Sequence, residues 1–190
     1  MNGQAVEAII QCLDVEQVRG VVADYLIQSA RAGRMLNVSL MRELAEGARR
    51  LALERSDQLG EAAALLHLGI AAAAAGQVGD ARAAVCRAQR IYRREPAARF
   101  RFEESLTTFL LAAWADSWEN SRGGKTASSQ SLVQTLRALE QAEDLLDVAR
   151  AQFAAEGDWH RCRQIQELSA QIRRSIDDRI PAVWVDGWAC

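Results

Sequence analysis

In LHLGIAAAAAGQVGDARAAVCRAQ, residues 66–89, two apolar-periodic segments meet at a short turn, Gly76-Gln77-Val78-Gly79-Asp80. Gly76 and Gly79 supply a permissive backbone there, and Asp80 stands where it can cap the second segment. Leu65, Leu68 and Ala72 recur at helical spacing before the turn, and Ala81, Val85 and Ala88 do so after it. Small residues, Gly69 and Ala81 among them, would let the two helices approach closely. The stretch therefore predicts a helix–turn–helix.

Outward from this unit the same pattern continues. Asp14 opens a capping-box-like Asp-Val-Glu-Gln and predicts a helix over 15–32 that stops at Gly33. Ser39 can cap a helix carrying Leu40, Leu44, Ala48, Leu51 and Ala52, which runs to about Arg55. The central pair is then read as helices over 60–75 and 80–94. Pro96 suits the first turn of another helix, over 97–119, with Phe102, Leu106, Phe109, Leu110, Trp114 and Trp118 on one broad stripe. Residues 120–131, NSRGGKTASSQS, lack an apolar anchor and read as an exposed loop. A long helix over 132–155 and a last one from Asp158 to Asp178 follow. The end of the chain, residues 180–190, is an apolar tail.

Composition bounds the rest. The chain has 190 residues, 49% hydrophobic and 25% charged, which is ample for a core and unlike a disordered segment. Its formal charge of -2 argues against a surface that coats nucleic acid. Lys125 is the only lysine, so nearly every cation is Arg, the residue suited to bidentate carboxylate contacts. The start of the sequence carries no basic, apolar leader pattern, and the longest apolar run, 62–75, is short of the ~20 residues that span a bilayer. Cys12, Cys86, Cys162 and Cys190 are scattered without CxxC spacing, so reduced thiols in a cytoplasmic protein are expected.

The central unit resembles a tetratricopeptide (TPR) repeat, a helix–turn–helix of about 34 residues. ELAEGARRLALERSDQLGEAAALLHLG (43–69) and EDLLDVARAQFAAEGDWHRCRQIQELSAQI (143–172) resemble the seams between units in the longer TPR repeats of signalling proteins. The resemblance implies an all-α fold: a right-handed superhelix of antiparallel hairpins forming a single domain over 1–179, with a C-terminal capping helix and the short tail. An irregular helical bundle is the competing architecture. In TPR proteins the first helices line a concave groove that binds peptides. Carried onto the clearest unit, that groove falls on Ala63, Leu66, Ile70 and Ala73, with His67 beside them. These positions lack the Lys and Asn of the clamp that holds chaperone tails. They would suit an apolar helix or peptide of a partner protein, unless the protein's own third pair or tail fills them.

Arg87, Arg90 and Arg94, at i, i+3 and i+7, form a basic stripe that could orient an acidic partner, with a solvated, self-neutralised face as the plainer account. Trp114 and Trp118 are core or interface anchors. Trp184 and Trp188 in the tail fold back or insert into a partner, and a tail reaching into a neighbour would make a homo-oligomer.

Chemistry is absent from this reading. His67 and His160 belong to different helices, and no HExxH or Glu-x-x-His pattern appears, so neither a catalytic residue, a metal ligand nor a cofactor is expected. Residues 121–126, SRGGKT, end like a phosphate loop but lack its first glycine and preceding strand. The expected function is a non-catalytic protein–protein interaction module, an adaptor or sensor subunit of the bacterial signalling type, with neither nucleic acid nor membrane as partner. The rivals are a self-assembling subunit and a ligand-binding bundle with a pocket at Phe102, Phe109 and Trp114.

Overall fold

The computed structural model describes residues 20–115 and 129–179. Among them are seven α-helices, one 3-10 turn and no strand: α1 (Val21–Arg34), α2 (Val38–Glu54), α3 (Gln58–Ala74), α4 (Val78–Tyr92), the turn Ala98–Phe100, α5 (Arg101–Ala113), α6 (Ser129–Glu156) and α7 (Trp159–Asp177). They fall into two compact units that divide after Pro96.

In the first unit each helix packs on the next, α1 on α2, α2 on α3 and α3 on α4, and α1 also reaches α3. The connections explain the regularity. At Leu36, Ser56 and Gly76 the backbone turns left-handed, with φ of 57°, 54° and 76°. Each of these residues donates its N–H three residues back, to Gly33, Leu53 and Ala73. The residue after it donates five back, Asn37 to Ala32 at 2.9 Å, Asp57 to Ala52 at 2.9 Å and Gln77 to Ala72 at 2.8 Å. That pair of hydrogen bonds satisfies open carbonyls of one helix, while the second donor stands at the N-cap position of the next. Asn37 and Asp57 also accept from Leu40 N at 3.1 Å and Gly60 N at 2.8 Å, worth about 1 kcal/mol per cap.

The caps at 37, 57 and 77 are twenty residues apart, so a full hairpin repeats every forty. This is longer than the ~34 of the repeat that the sequence resembles, because α2 and α3 are each 17 residues long. Neither Ser39 nor Asp80 is a cap. Asn37 takes the first role and Gln77 stands at the second, which leaves Asp80 in the first turn of α4.

The core of this unit is built from small residues. Val22, Leu26, Ala48, Ala52, Ala63 and Ala64 form one cluster drawn from α1, α2 and α3. Two glycines set how near the helices come. A Cβ on Gly47 would stand 2.7 Å from the Tyr25 ring, and one on Gly69 would strike Val85 Cγ2 and reach 3.2 Å from Ala81 O. The close approach expected from Gly69 and Ala81 is therefore present.

In the second unit α5 packs on α6 and α6 on α7, with α5 also touching α7. Pro96 does not begin the next helix; the 3-10 turn intervenes and α5 starts at Arg101. Ser105 Oγ donates to Ala142 O at 2.6 Å, tying α5 to α6 at a small residue. Phe102, Leu106, Phe109, Leu110 and Trp114 are buried, as are Leu139, Leu146, Phe153, Ile165, Leu168 and Ile172. The aromatic stripe is thus core up to Trp114, while Trp118 lies outside the described residues. The loop expected to end at 131 gives way to helix at Ser129. Gly157, at φ 74°, and Asp158, which accepts from Arg161 N at 2.9 Å, repeat the turn of the first unit between α6 and α7.

Candidate functional site

The positions assigned to a concave groove are mostly interior. Ala63 belongs to the three-helix cluster, Leu66 and Ile70 are buried, and only Ala73 is half-buried. The reason at Ala63 is that α1 folds against α3 as well as α2, so the face of α3 that would line a groove is covered. His67 is buried too. Its Nδ1 lies 3.0 Å from Ser29 Oγ, which donates to Met41 O at 2.9 Å. Because the single Ser29 proton serves Met41, Nδ1 carries the hydrogen and donates it. Burial pushes the His67 pKa down to about 3, so the ring is neutral, and it links α1, α2 and α3 at one interior point.

The arginine stripe is also divided. Arg87 Nη2 stands 2.6 Å from Glu61 Oε1, which Arg49 Nε approaches to 3.7 Å from the other side. One carboxylate on α3 therefore draws on α2 and α4 together, and Arg87 serves the packing of its own unit. Arg90 is exposed near the end of α4, and Arg94 lies beyond the helix, in the turn. Trp184, Trp188 and the glycine-lysine stretch at 121–126 lie outside the described residues.

The second unit contains a charged interior that periodicity alone did not single out. The Arg161 guanidinium sits between the rings of Phe102 and Phe153, 5.3 and 5.6 Å from their centroids. Its Nη2 is 3.8 Å from Glu103 Oε1, and Nη1 donates to Gln164 Oε1 at 3.4 Å. Arg161 is 1% exposed, and on α5 both Glu103 and Glu104 are buried, Glu104 pairing with Arg101. The spacing 161, 165, 168, 172 was the available signal, since it extends the buried Ile165–Leu168–Ile172 stripe back onto an arginine.

On the opposite faces of the same hairpin lies a cleft of about 520 Å³. Asp147, Arg150, Ala151 and Ala154 of α6 form one wall, and Trp159, Cys162, Arg163 and Gln166 of α7 the other. Both sets follow i, i+3/i+4, i+7 spacing, so each is a single helix face. The two alanines leave the space, and Gly157 brings the walls together. Trp159 is 73% exposed, the most exposed aromatic side chain among the described residues. Arg150 Nη2 meets Asp147 Oδ1 at 3.0 Å, a pair more than half in water and easily exchanged. Arg163 is exposed and has no carboxylate at ion-pair distance among the described residues. Cys162 is a half-buried free thiol at the floor.

Among the described residues no three His, Cys, Asp or Glu side chains converge to hold a metal ion, and no helix is long and apolar enough to cross a membrane. Phe102, Phe109 and Trp114, the residues of the expected ligand pocket, are all buried. No protein-family model, curated protein or solved structure matches the chain.

Proposed function

We propose that the chain is a non-catalytic protein-interaction module, an adaptor or regulatory subunit, that docks a segment of a partner protein in the α6–α7 cleft. The observation that carries this is Trp159, left mostly in water at the mouth of a cleft that also presents Arg150 and Arg163. A tryptophan held in the open costs solvation that burial against a partner returns, and Trp and Arg dominate the energetics of protein interfaces. The α3 positions first assigned to partner binding do not support the same reading, since they serve the protein's own packing.

The experiment is affinity capture from native lysate with the full chain and with Trp159→Ala. The module reading expects specific captured proteins that the variant loses while its melting temperature stays unchanged. Capture that is indifferent to Trp159→Ala would remove the cleft from the account.

A further inference from the structure

We infer that the partner segment held in the α6–α7 cleft is an acidic peptide in extended conformation, with a carboxylate two positions from a large apolar side chain; this rests on the docking role proposed above. The charge argument comes from the walls. Two guanidinium groups face one carboxylate, and that carboxylate, Asp147, is already engaged by Arg150. Arg163 is therefore the group with bonding capacity to spare. A guanidinium presents a planar fork that a carboxylate fills with two parallel hydrogen bonds, roughly twice as strong as neutral ones.

Spacing supplies the rest. Trp159 and Arg163 are four residues apart on α7, hence about 6 Å along its axis at 1.5 Å per residue. In an extended peptide, side chains two residues apart point the same way and stand about 6.5–7 Å from each other. A Glu-x-Phe or Asp-x-Leu step thus reaches the Arg163 fork and the Trp159 indole together. Ala151 and Ala154 leave the far wall low enough to admit the peptide backbone, and Gln166 offers both a donor and an acceptor to it. The volume lies within the roughly 300–1,000 Å³ typical of ligand clefts.

The test is fluorescence anisotropy of three blocked, labelled hexapeptides, carrying Glu-x-Phe, Gln-x-Phe or Lys-x-Phe, titrated with the full chain. The Glu peptide should bind most tightly, with the Gln peptide about tenfold weaker and the Lys peptide weaker still. Arg163→Gln should abolish the preference for Glu over Gln, and Arg163→Lys should retain only part of it. Trp159→Ala should weaken the Glu and Gln peptides alike. Both positions are at the surface, so unchanged melting curves are expected for all three variants.

Equal binding of the Glu and Gln peptides, no binding of the Glu peptide by about 1 mM, or a preference that survives Arg163→Gln would overturn the inference. If such a result accompanied Trp159-dependent capture from lysate, the acidic chemistry alone would fall and the docking role would stand. If capture were independent of Trp159, the docking role would fall first.

Discussion

Gly69 faces Val85 so closely that α3 and α4 meet with no room for a β-carbon between them. In an exposed helix, Gly→Ala gains about 1 kcal/mol from propensity. Here the added methyl would press on a stiff β-branched side chain and on the Ala81 carbonyl of the backbone. Overpacking of this kind costs about 1–3 kcal/mol, so the packing term wins. Gly69→Ala should lower the melting temperature followed by circular dichroism, and Val85→Ala in the same chain should recover part of the loss. A stabilised Gly69→Ala variant would show that the two helices can separate at little cost.

Leu36 occupies the left-handed corner that Gly76 and Gly157 fill in the equivalent turns, and it is 74% exposed there. Its side chain gains little from burial, while the left-handed backbone costs about 1–2 kcal/mol for an L residue with a β-carbon. Leu36→Gly should therefore raise stability by up to about 1 kcal/mol, the remainder being lost to chain entropy. At Gly76 the reverse change, Gly76→Ala, should destabilise by a similar amount. Chemical denaturation of both variants checks the pair, and a destabilised Leu36→Gly would mean that the leucine makes a contact that outweighs the strain.

The helices were legible because their punctuation is local. Apolar spacing marked each one, and glycine, serine and aspartate marked their ends. Ser39 suits a cap by residue type, but the cap falls at Asn37, whose N–H returns to Ala32 O and whose side chain accepts from Leu40 N. The groove was not legible. Ala63 and His67 repeat as a groove face should, yet whether such a face is open depends on what α1 covers, which is a tertiary fact. Trp159 was not legible for the opposite reason: it belongs to no apolar stripe, and only its exposure beside Arg163 gives it meaning.

His67 should make stability depend on pH. Its pKa in the folded protein is about 3, against 6.5 for an unburied histidine. Above pH 6.5 the ring is neutral in both states and contributes no pH dependence. As pH falls below 6.5 the unfolded chain takes up a proton that the folded chain refuses, so stability is lost progressively down to about pH 3, at roughly 1 kcal/mol per pH unit. His67→Gln, which carries no titratable ring, should show a shallower decline over that window. Urea unfolding of both proteins at pH 7.5, 6, 5 and 4 measures the difference, and parallel curves would mean that the ring is protonated where it sits.

Arg161 should be the most sensitive charged position of the second unit. Desolvating a guanidinium costs several kcal/mol, and the Phe102 and Phe153 faces, Gln164 and the Glu103 carboxylate together offset that cost. Removing Arg161 takes from the buried Glu103 a positive charge that now stands 3.8 Å away. Arg161→Ala should thus destabilise by about 3–5 kcal/mol, through the lost pairing with Glu103 and the space vacated between the rings. Arg161→Met fills that space, and coupling it with Glu103→Leu removes both charges, so the double variant should be markedly more stable than Arg161→Ala. Denaturation of Arg161→Met, Glu103→Leu and the double variant, beside the parent chain, closes the cycle. If Arg161→Ala costs less than about 1 kcal/mol, water reaches the pair and the centre is not sealed.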